Sequence, residues 1–355
     1  MDFMTVPLTA YARVRALHFL AQGEFLNRLA ALVVPGFEHK RVSGPELESV
    51  REAALALLAR DRANIRQGVY PLDVLMPESP IQHWARFPKL LIDSLRIGRR
   101  RVQGRTTEFD GEAEEYLDEV PRYYRRCFHF QSGGYLTRES AELYEHQVEI
   151  LFAGTADAMR RTIIEGLRKH FGSTDGKGLS FLEVGAGTGR ASKFVSLAFP
   201  KAKIVAVDLS PAYLRVGQRR LADFQRIDFL QADAAKLPFK KGTFDAVFSV
   251  FLFHEMPRAE REAVLRECVR VTKAGGFVGL VDSLQKADVP AFDGFLERFP
   301  VSFHEPYYRE YSETPMEGLL ANAGISEIES STGFFSKSVS GRVPAEKPVS
   351  SKRKK

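Results

Sequence analysis

The tract Glu183-Val184-Gly185-Ala186-Gly187-Thr188-Gly189-Arg190 constrains this chain most. It follows the apolar run 180–184 (SFLEV) and opens a segment, 189–199, that reads as helix. An apolar strand, a glycine turn and a helix in succession begin a strand–helix–strand unit, whose crossover packs back on a parallel sheet. Further apolar runs stand at 203–207 (KIVAV), 226–230 (RIDFL), 244–250 (FDAVFSV) and 276–282 (GFVGLVD), with helical stretches at 211–224 and 258–271. Near-continuous apolar strands with helical crossovers predict an α/β class, a doubly wound Rossmann-like sheet covered on both faces. A helix over about 313–323 and a strand pair around 325–339 would close it.

In such sheets a ligand sits at the carboxyl ends of the strands, beside a helix N-terminus. Glycines there let the backbone approach it. Arg190 stands where a dinucleotide fingerprint places its third glycine, and no Gly-Lys-Ser/Thr follows, so the loop is not a P-loop. Glu183, at the strand's end, would repel a pyrophosphate at close range. It suits a ligand with an ammonium group and no phosphate, which S-adenosylmethionine is. Asp208 ends the second strand, 25 residues after Glu183, and is placed to accept from ribose hydroxyls. Asp233-Ala234, after the third strand, offers a carboxylate to an exocyclic adenine amino group. Ser249-Val250-Phe251 ends the fourth strand, where the chain turns across the methionine end of the cofactor. A structural reading makes the glycines a tight turn and Asp208, before Ser210-Pro211, a helix cap. It accounts for each feature singly, not for acids at the ends of successive strands in register.

With these residues assembled, positions 180–283 resemble a class I S-adenosylmethionine-dependent methyltransferase. Glu183 to Gly189, through Gly185, Ala186 and Gly187, match the first motif of that family, and Asp208-Leu209 its ribose acid. Asp233-Ala234 with Leu237-Pro238-Phe239 matches the adenine motif, and Phe244-Asp245 through His254 the fourth-strand motif. Leu265 to Gly276 resembles the helix and turn before the fifth strand, with Lys273-Ala274-Gly275-Gly276 in place of the commoner Lys-Pro-Gly-Gly. The most similar branch methylates quinone precursors and other small molecules. The resemblance implies fold and cofactor over about 160 residues and leaves the acceptor open. The stretch from Phe128 to Arg161 resembles an extension found in methyltransferase-domain proteins of no known substrate.

Methyl transfer is an in-line displacement in which positive charge disperses, so a protein acts by alignment and exclusion of water. A base is needed only where the nucleophile must lose a proton. His254, beside Glu255 after the fourth strand, is the candidate. His129, Tyr123, Tyr124, Tyr135, His304, Tyr307 and Tyr308 are rivals, as lid and substrate wall or as packing between domains.

Before residue 170 helical periodicity dominates, as over 46–66 and 141–169, with a restart near Thr155-Ala156-Asp157. Residues 68–140 read as less regular, with Pro71, Pro77, Pro80, Pro88 and Pro121. The expected organisation is a mostly helical domain over 1–170 that shapes substrate or lid, the cofactor domain over 171–340 and a disordered basic tail over 341–355. The net charge of +6 comes from 51 basic and 45 acidic residues. Part of it lies in Lys352-Arg353-Lys354-Lys355 and in Arg96, Arg99, Arg100, Arg101 and Arg105, read as a solvated tail and a solvated loop. The arginine run leaves peripheral contact with an anionic membrane open. Cys127 and Cys268 have no metal or redox spacing, and no cluster of ligand spacing predicts a metal. No secretory signal or membrane span is visible, so the expected location is cytoplasmic. The leading function is methylation of a small aromatic or lipid-like acceptor. An RNA or protein methyltransferase is the second reading. Against RNA, the fourth strand ends in Ser249-Val250-Phe251-Leu252 and not in the Asn/Asp-Pro-Pro-Tyr/Phe of many nitrogen methylators, so nucleic acid is not the expected partner. The third reading is a non-catalytic cofactor-binding subunit. Oligomeric state is left open.

Overall fold

The computed structural model describes residues 5–38, 44–76, 80–109 and 111–345. The basic end, Lys352 to Lys355, lies outside them. Five long helices come first: α1 (Thr5–Val33), α2 (Gly44–Arg66), α3 (Pro80–Gln103), α4 (Arg138–Leu151) and α5 (Ala156–Phe171). Then strands and helices alternate: β1 (Ser180–Val184), α6 (Arg190–Ala198), β2 (Lys203–Asp208), α7 (Pro211–Arg220), β3 (Ile227–Gln231), β4 (Phe244–Val250), α8 (Arg258–Val271) and β5 (Thr272–Ser283). Helices α9 (Asp293–Phe303), α10 (Tyr308–Glu313) and α11 (Met316–Asn322) precede a closing hairpin of β6 (Ser326–Gly333) and β7 (Ser336–Arg342).

The described strands form one sheet in the order β3-β2-β1-β4-β5-β7-β6. β1 to β5 run parallel, and β7 inserts antiparallel beside β5. The Rossmann-like expectation therefore holds, with strand ends close to those read from the apolar runs. The last strand runs on to Arg342, where Gly341 pairs with Val278. Both faces are covered. On one, Phe181, Phe248 and Phe277 pack with Phe194 and Val195 of α6 and with Ile163, Ile164 and Leu167 of α5. On the other, Leu182, Val247 and Val278 meet Leu265 and Cys268 of α8 and Leu320 of α11. Helix α5 thus enters the sheet's core from the N-terminal region.

Local signals set the helix ends. Thr137 caps α4 by accepting from Ser140 N at 3.2 Å, and Ser210 caps α7 ahead of Pro211. Gly172 ends α5 with φ +71°. The irregular reading of 68–140 is corrected in part: it contains the 24-residue α3. Pro80 at its first position loses nothing, while Pro88 removes one interior bond. Phe87, Leu90 and Leu91 outweigh that loss by packing on Leu26, Leu143 and Ile150. The arginine run is likewise mostly helix and not loop. Arg100 donates to the Glu108 carbonyl at 2.6 Å, Arg96 faces Glu139 at 3.5 Å, and Arg101 lies 5.5 Å over Phe37. Basic groups in a last helical turn are favoured by the helix dipole. No helix among the described residues is long and apolar enough to cross a membrane.

Candidate cofactor and acceptor site

The glycine loop closes the carboxyl end of β1. Gly185, Gly187 and Gly189 have φ of +68°, +55° and +73°. A Cβ on Gly185 would lie 2.7 Å from Leu252 Cδ2, and one on Gly189 2.8 Å from Phe229 Cζ. The turn therefore requires glycine on both conformational and steric grounds. Ala186 N donates to the Val207 carbonyl at 2.9 Å, and Gly187 N to Asp208 Oδ2 at 2.7 Å. Asp208 Oδ1 accepts from Ser210 N at 2.8 Å. Burial raises the Asp208 carboxyl, against the pull of the Ser210, Gly187 and Leu209 amides.

Glu183 is 1% exposed. Its Oε2 accepts from Ser192 N at 2.9 Å and from the Ser192 hydroxyl, at the first turn of α6. Burial dominates these bonds and pushes the carboxyl up to about 8. Asp233 Oδ1 accepts from Ala235 N at 2.8 Å, which turns Asp233-Ala234 away from β3. Ser249 Oγ donates to the Val184 carbonyl at 2.9 Å, and Val250 is buried. Sheet register aligns these ends, with Val184 opposite both Val207 and Ser249, and Asp208 opposite Gln231. All the residues singled out for cofactor binding, Leu209 included, thus gather at one edge of the sheet.

Arg190, which breaks the dinucleotide fingerprint, has a structural partner. Its guanidinium donates to Asp157 at 3.0 and 2.5 Å, and Asp157 also holds Arg160 at 3.2 Å and Arg15 at 3.4 Å. Arg160 reaches Glu145 at 3.1 Å, and Glu145 Oε1 accepts from Thr188 Oγ1 at 2.5 Å. A buried charge network thus fastens α4 and α5 to the glycine loop. In the sequence, only the misplaced arginine hints at it.

His254 is buried in the short turn Phe253–Glu255 that follows β4. Its Nδ1 lies 2.6 Å from Asp282 Oδ1, while Asp282 Oδ2 accepts from Phe253 N at 2.6 Å and Leu252 N at 3.1 Å. Burial alone would lower the imidazole; Asp282 outweighs it and raises it above its usual value. Asp282 orients the ring much as a carboxylate orients a catalytic histidine, leaving Nε2 3.7 Å from Glu255 Oε1. Sequence reading passed over Asp282, although it too is an acid at a strand's carboxyl end.

The aromatic rivals form a wall at the same edge. Tyr135 O accepts from Ser210 Oγ at 2.6 Å, and its hydroxyl donates to Glu255 Oε1 at 2.6 Å. Its ring sits 6.1 Å from Tyr124, 5.9 Å from Tyr144 and 5.6 Å from Tyr213. Tyr123 meets Tyr307 at 6.5 Å, and Tyr308 lies 6.0 Å from His254. His129 and His304 border the same wall, His304 5.5 Å from Phe130. A cavity of about 570 Å³ lies elsewhere, lined by Thr188, Arg190 and Lys193, by Val216 and Arg219 of α7, and by Lys89 of α3 and Glu142 of α4. Spacing in sequence offers no metal ligand set, but the fold brings His129, Glu255 and Glu305 together, with one side-chain N or O atom of each within 4.8 Å of the others.

Residues 181–276 match the family described as "Methyltransferase domain". A demethylmenaquinone methyltransferase of Clavibacter sepedonicus is 42% identical over 99 residues, 28% of this chain and 39% of that protein. A ubiquinone/menaquinone biosynthesis C-methyltransferase of Pseudomonas putida is 34% identical over 142 residues, 38% of this chain and 52% of its own length. The chain thus spans about half or less of these curated relatives. Among solved structures, a SAM-dependent methyltransferase from Aquifex aeolicus aligns with 50% of this chain and 88% of its own, at 22% identity and a TM-score of 0.38.

Proposed function

We propose that this chain, which carries a class I S-adenosylmethionine-dependent methyltransferase domain in its C-terminal half, transfers a methyl group to a small aromatic or lipid-like acceptor. The observation that carries the reading is the run of Glu183, Asp208 and Asp233 at the carboxyl ends of successive strands around a loop of positive-φ glycines. The residues present fit the cofactor. Burial holds the Glu183 carboxyl up at about 8, and the charge of an ammonium beside it would favour the ionised form, its proton leaving to solvent. Leu252 and Phe229 pack closely on Gly185 and Gly189, which holds the loop in its left-handed turn at the end of β1.

In this reading Glu183 and the glycine loop hold the amino-acid end, Asp208 the ribose, and Asp233 with Ala234 the adenine. Leu209 and Val250 supply apolar contact. When bound, the cofactor supplies an electrophilic methyl on a sulfonium. The chain's part is to align the acceptor and keep water out. The tyrosine wall of Tyr124, Tyr135, Tyr144 and Tyr213 gives an aromatic face for the acceptor. His254, fixed by Asp282, takes the acceptor's proton where one must leave. The N-terminal helices serve as cover for the site, and a cytoplasmic setting goes with the reading. The quinone precursors named for the relatives are the first acceptors to try.

The test is transfer of labelled methyl from S-adenosylmethionine to quinone, phenol and lipid acceptors, with transfer RNA and protein beside them. Label in a small extractable product, absent with Asp208→Ala, is expected. Label in RNA would establish the second reading. Cofactor binding with no labelled acceptor would point to a non-catalytic subunit.

A further inference from the structure

We propose that His129, Glu255 and Glu305 form a site for a divalent transition-metal ion of the Mn²⁺, Fe²⁺ or Zn²⁺ kind. The three residues come from separate segments. His129 sits in the short turn Phe128–Phe130, Glu255 in the turn after β4, and Glu305 just beyond α9. His129 Nε2 lies 3.1 Å from Glu305 Oε1 and 3.6 Å from Glu255 Oε1. Ligand bonds of about 2.0–2.2 Å place neighbouring donor atoms roughly 2.8–3.6 Å apart. Both separations from His129 stand at the spacing of one coordination shell, and the three donor atoms all lie within 4.8 Å of one another.

The environment lacks what two carboxylates would otherwise need. Glu305 is 1% exposed; its Oε1 faces His129 Nε2 at 3.1 Å out of hydrogen-bond alignment, and its Oε2 receives no aligned donor. Glu255 Oε2 is also buried without one. Among the described residues, the ion-pair partners of Glu255 and Glu305 are histidines only, His129 and His254. No lysine or arginine among the described residues neutralises the pair. Burying two carboxylates face to face is costly unless they are paired or ligate a metal. A dication cancels both charges and uses a neutral imidazole as third ligand.

Two further features suit a metal. The Tyr135 hydroxyl donates to Glu255 Oε1 at 2.6 Å, the outer hydrogen bond that orients a ligating carboxylate. His129 and Phe130, at φ +54° and +57°, and His304, at φ +50°, hold left-handed backbone on both sides of the cluster. Such strain gathers where surrounding structure fixes a functional group. Two oxygens, an imidazole nitrogen and no sulfur favour Mn²⁺, Fe²⁺ or Zn²⁺ over Cu(I). Three protein ligands leave room for water or an oxygen-bearing ligand. The proposal rests on none of the cofactor residues, although the site borders the acceptor wall through Tyr135 and His254.

The test uses the full chain, stripped with chelator and checked for fold by circular dichroism. Mn²⁺, Co²⁺ or Zn²⁺ is added, and metal is counted after gel filtration alongside the thermal midpoint. Near-stoichiometric metal, a raised midpoint and a visible Co²⁺ spectrum are expected. Glu305→Gln and His129→Gln should lose these. Tyr135→Phe, which keeps all three ligands and the ring, should weaken affinity by about 10–100-fold. Metal retained equally by wild type and Glu305→Gln would overturn the assignment. So would a folded wild type that holds no metal while Glu305→Gln raises the midpoint, which would identify a pair of acids sharing a proton.

Discussion

Strand β1 and helix α5 are both buried, but on different terms. Phe181, Leu182 and Val184 of β1 are fully enclosed among apolar side chains. Helix α5 buries Asp157, Arg160 and Arg161 as well as Ile163 and Ile164. Its Arg161 meets Asp61 of α2 through bonds of 2.8 and 2.7 Å, and Tyr70 donates to the same carboxylate at 2.7 Å. The sheet half depends on area removed from water, which tolerates a swap of similar volume. The helical half depends on paired charges, each of which fails if its partner is removed.

The comparison breaks most sharply at Asp157. Asp157→Ala leaves Arg15, Arg160 and Arg190 facing one another, and urea unfolding should show a loss of about 3–5 kcal/mol. Asp157→Asn, nearly the same shape, should lose most of that. In the sheet, Leu182→Ala should cost about 2–5 kcal/mol by cavity formation, while Leu182→Met costs less than about 1.5 kcal/mol. If Asp157→Asn is as mild as Leu182→Met, the contrast between the halves fails.

Gly185→Ala comes next. Its φ of +68° and the overlap with Leu252 predict a cost of about 1–3 kcal/mol, read from the thermal midpoint, and weaker cofactor binding. Glu183 gives a pH signature. Its folded-state carboxyl is raised to about 8, so the stability that comes from its bound proton is present at acid pH and lost as pH rises through that value. Glu183→Gln should flatten this slope between pH 5 and 9. Binding an ammonium at Glu183 should release a proton at pH 7, visible as a calorimetric heat that changes with buffer. The smallest effect belongs to the exposed pair Lys169–Glu329, where Lys169→Ala should cost under about 1 kcal/mol.

What sequence could reveal follows the same division. Strands β1 and β4 were legible to the residue because buried parallel strands are continuous apolar runs. The cofactor edge was legible because Glu183, Asp208 and Asp233 each stand within a few residues of the carboxyl end of such a run. Helices α4 and α5 were legible as helices, but Glu145, Glu149, Asp157 and Arg160 look like any solvated face until their partners are known. Helix α3 was obscured by Pro88, whose lost hydrogen bond is outweighed by tertiary packing. Glu305 could not be found at all, since residues 129, 255 and 305 meet only in the folded chain.

The central claim is that the acidic edge of the sheet holds S-adenosylmethionine. Isothermal calorimetry of the cofactor against wild type and Asp208→Ala tests it most directly. The account predicts micromolar binding by wild type that the variant loses by at least about tenfold, as the loss of a charge-assisted hydrogen bond implies. A folded wild type that binds no S-adenosylmethionine would contradict it, and the glycine loop would then be scaffold or a site for another nucleoside.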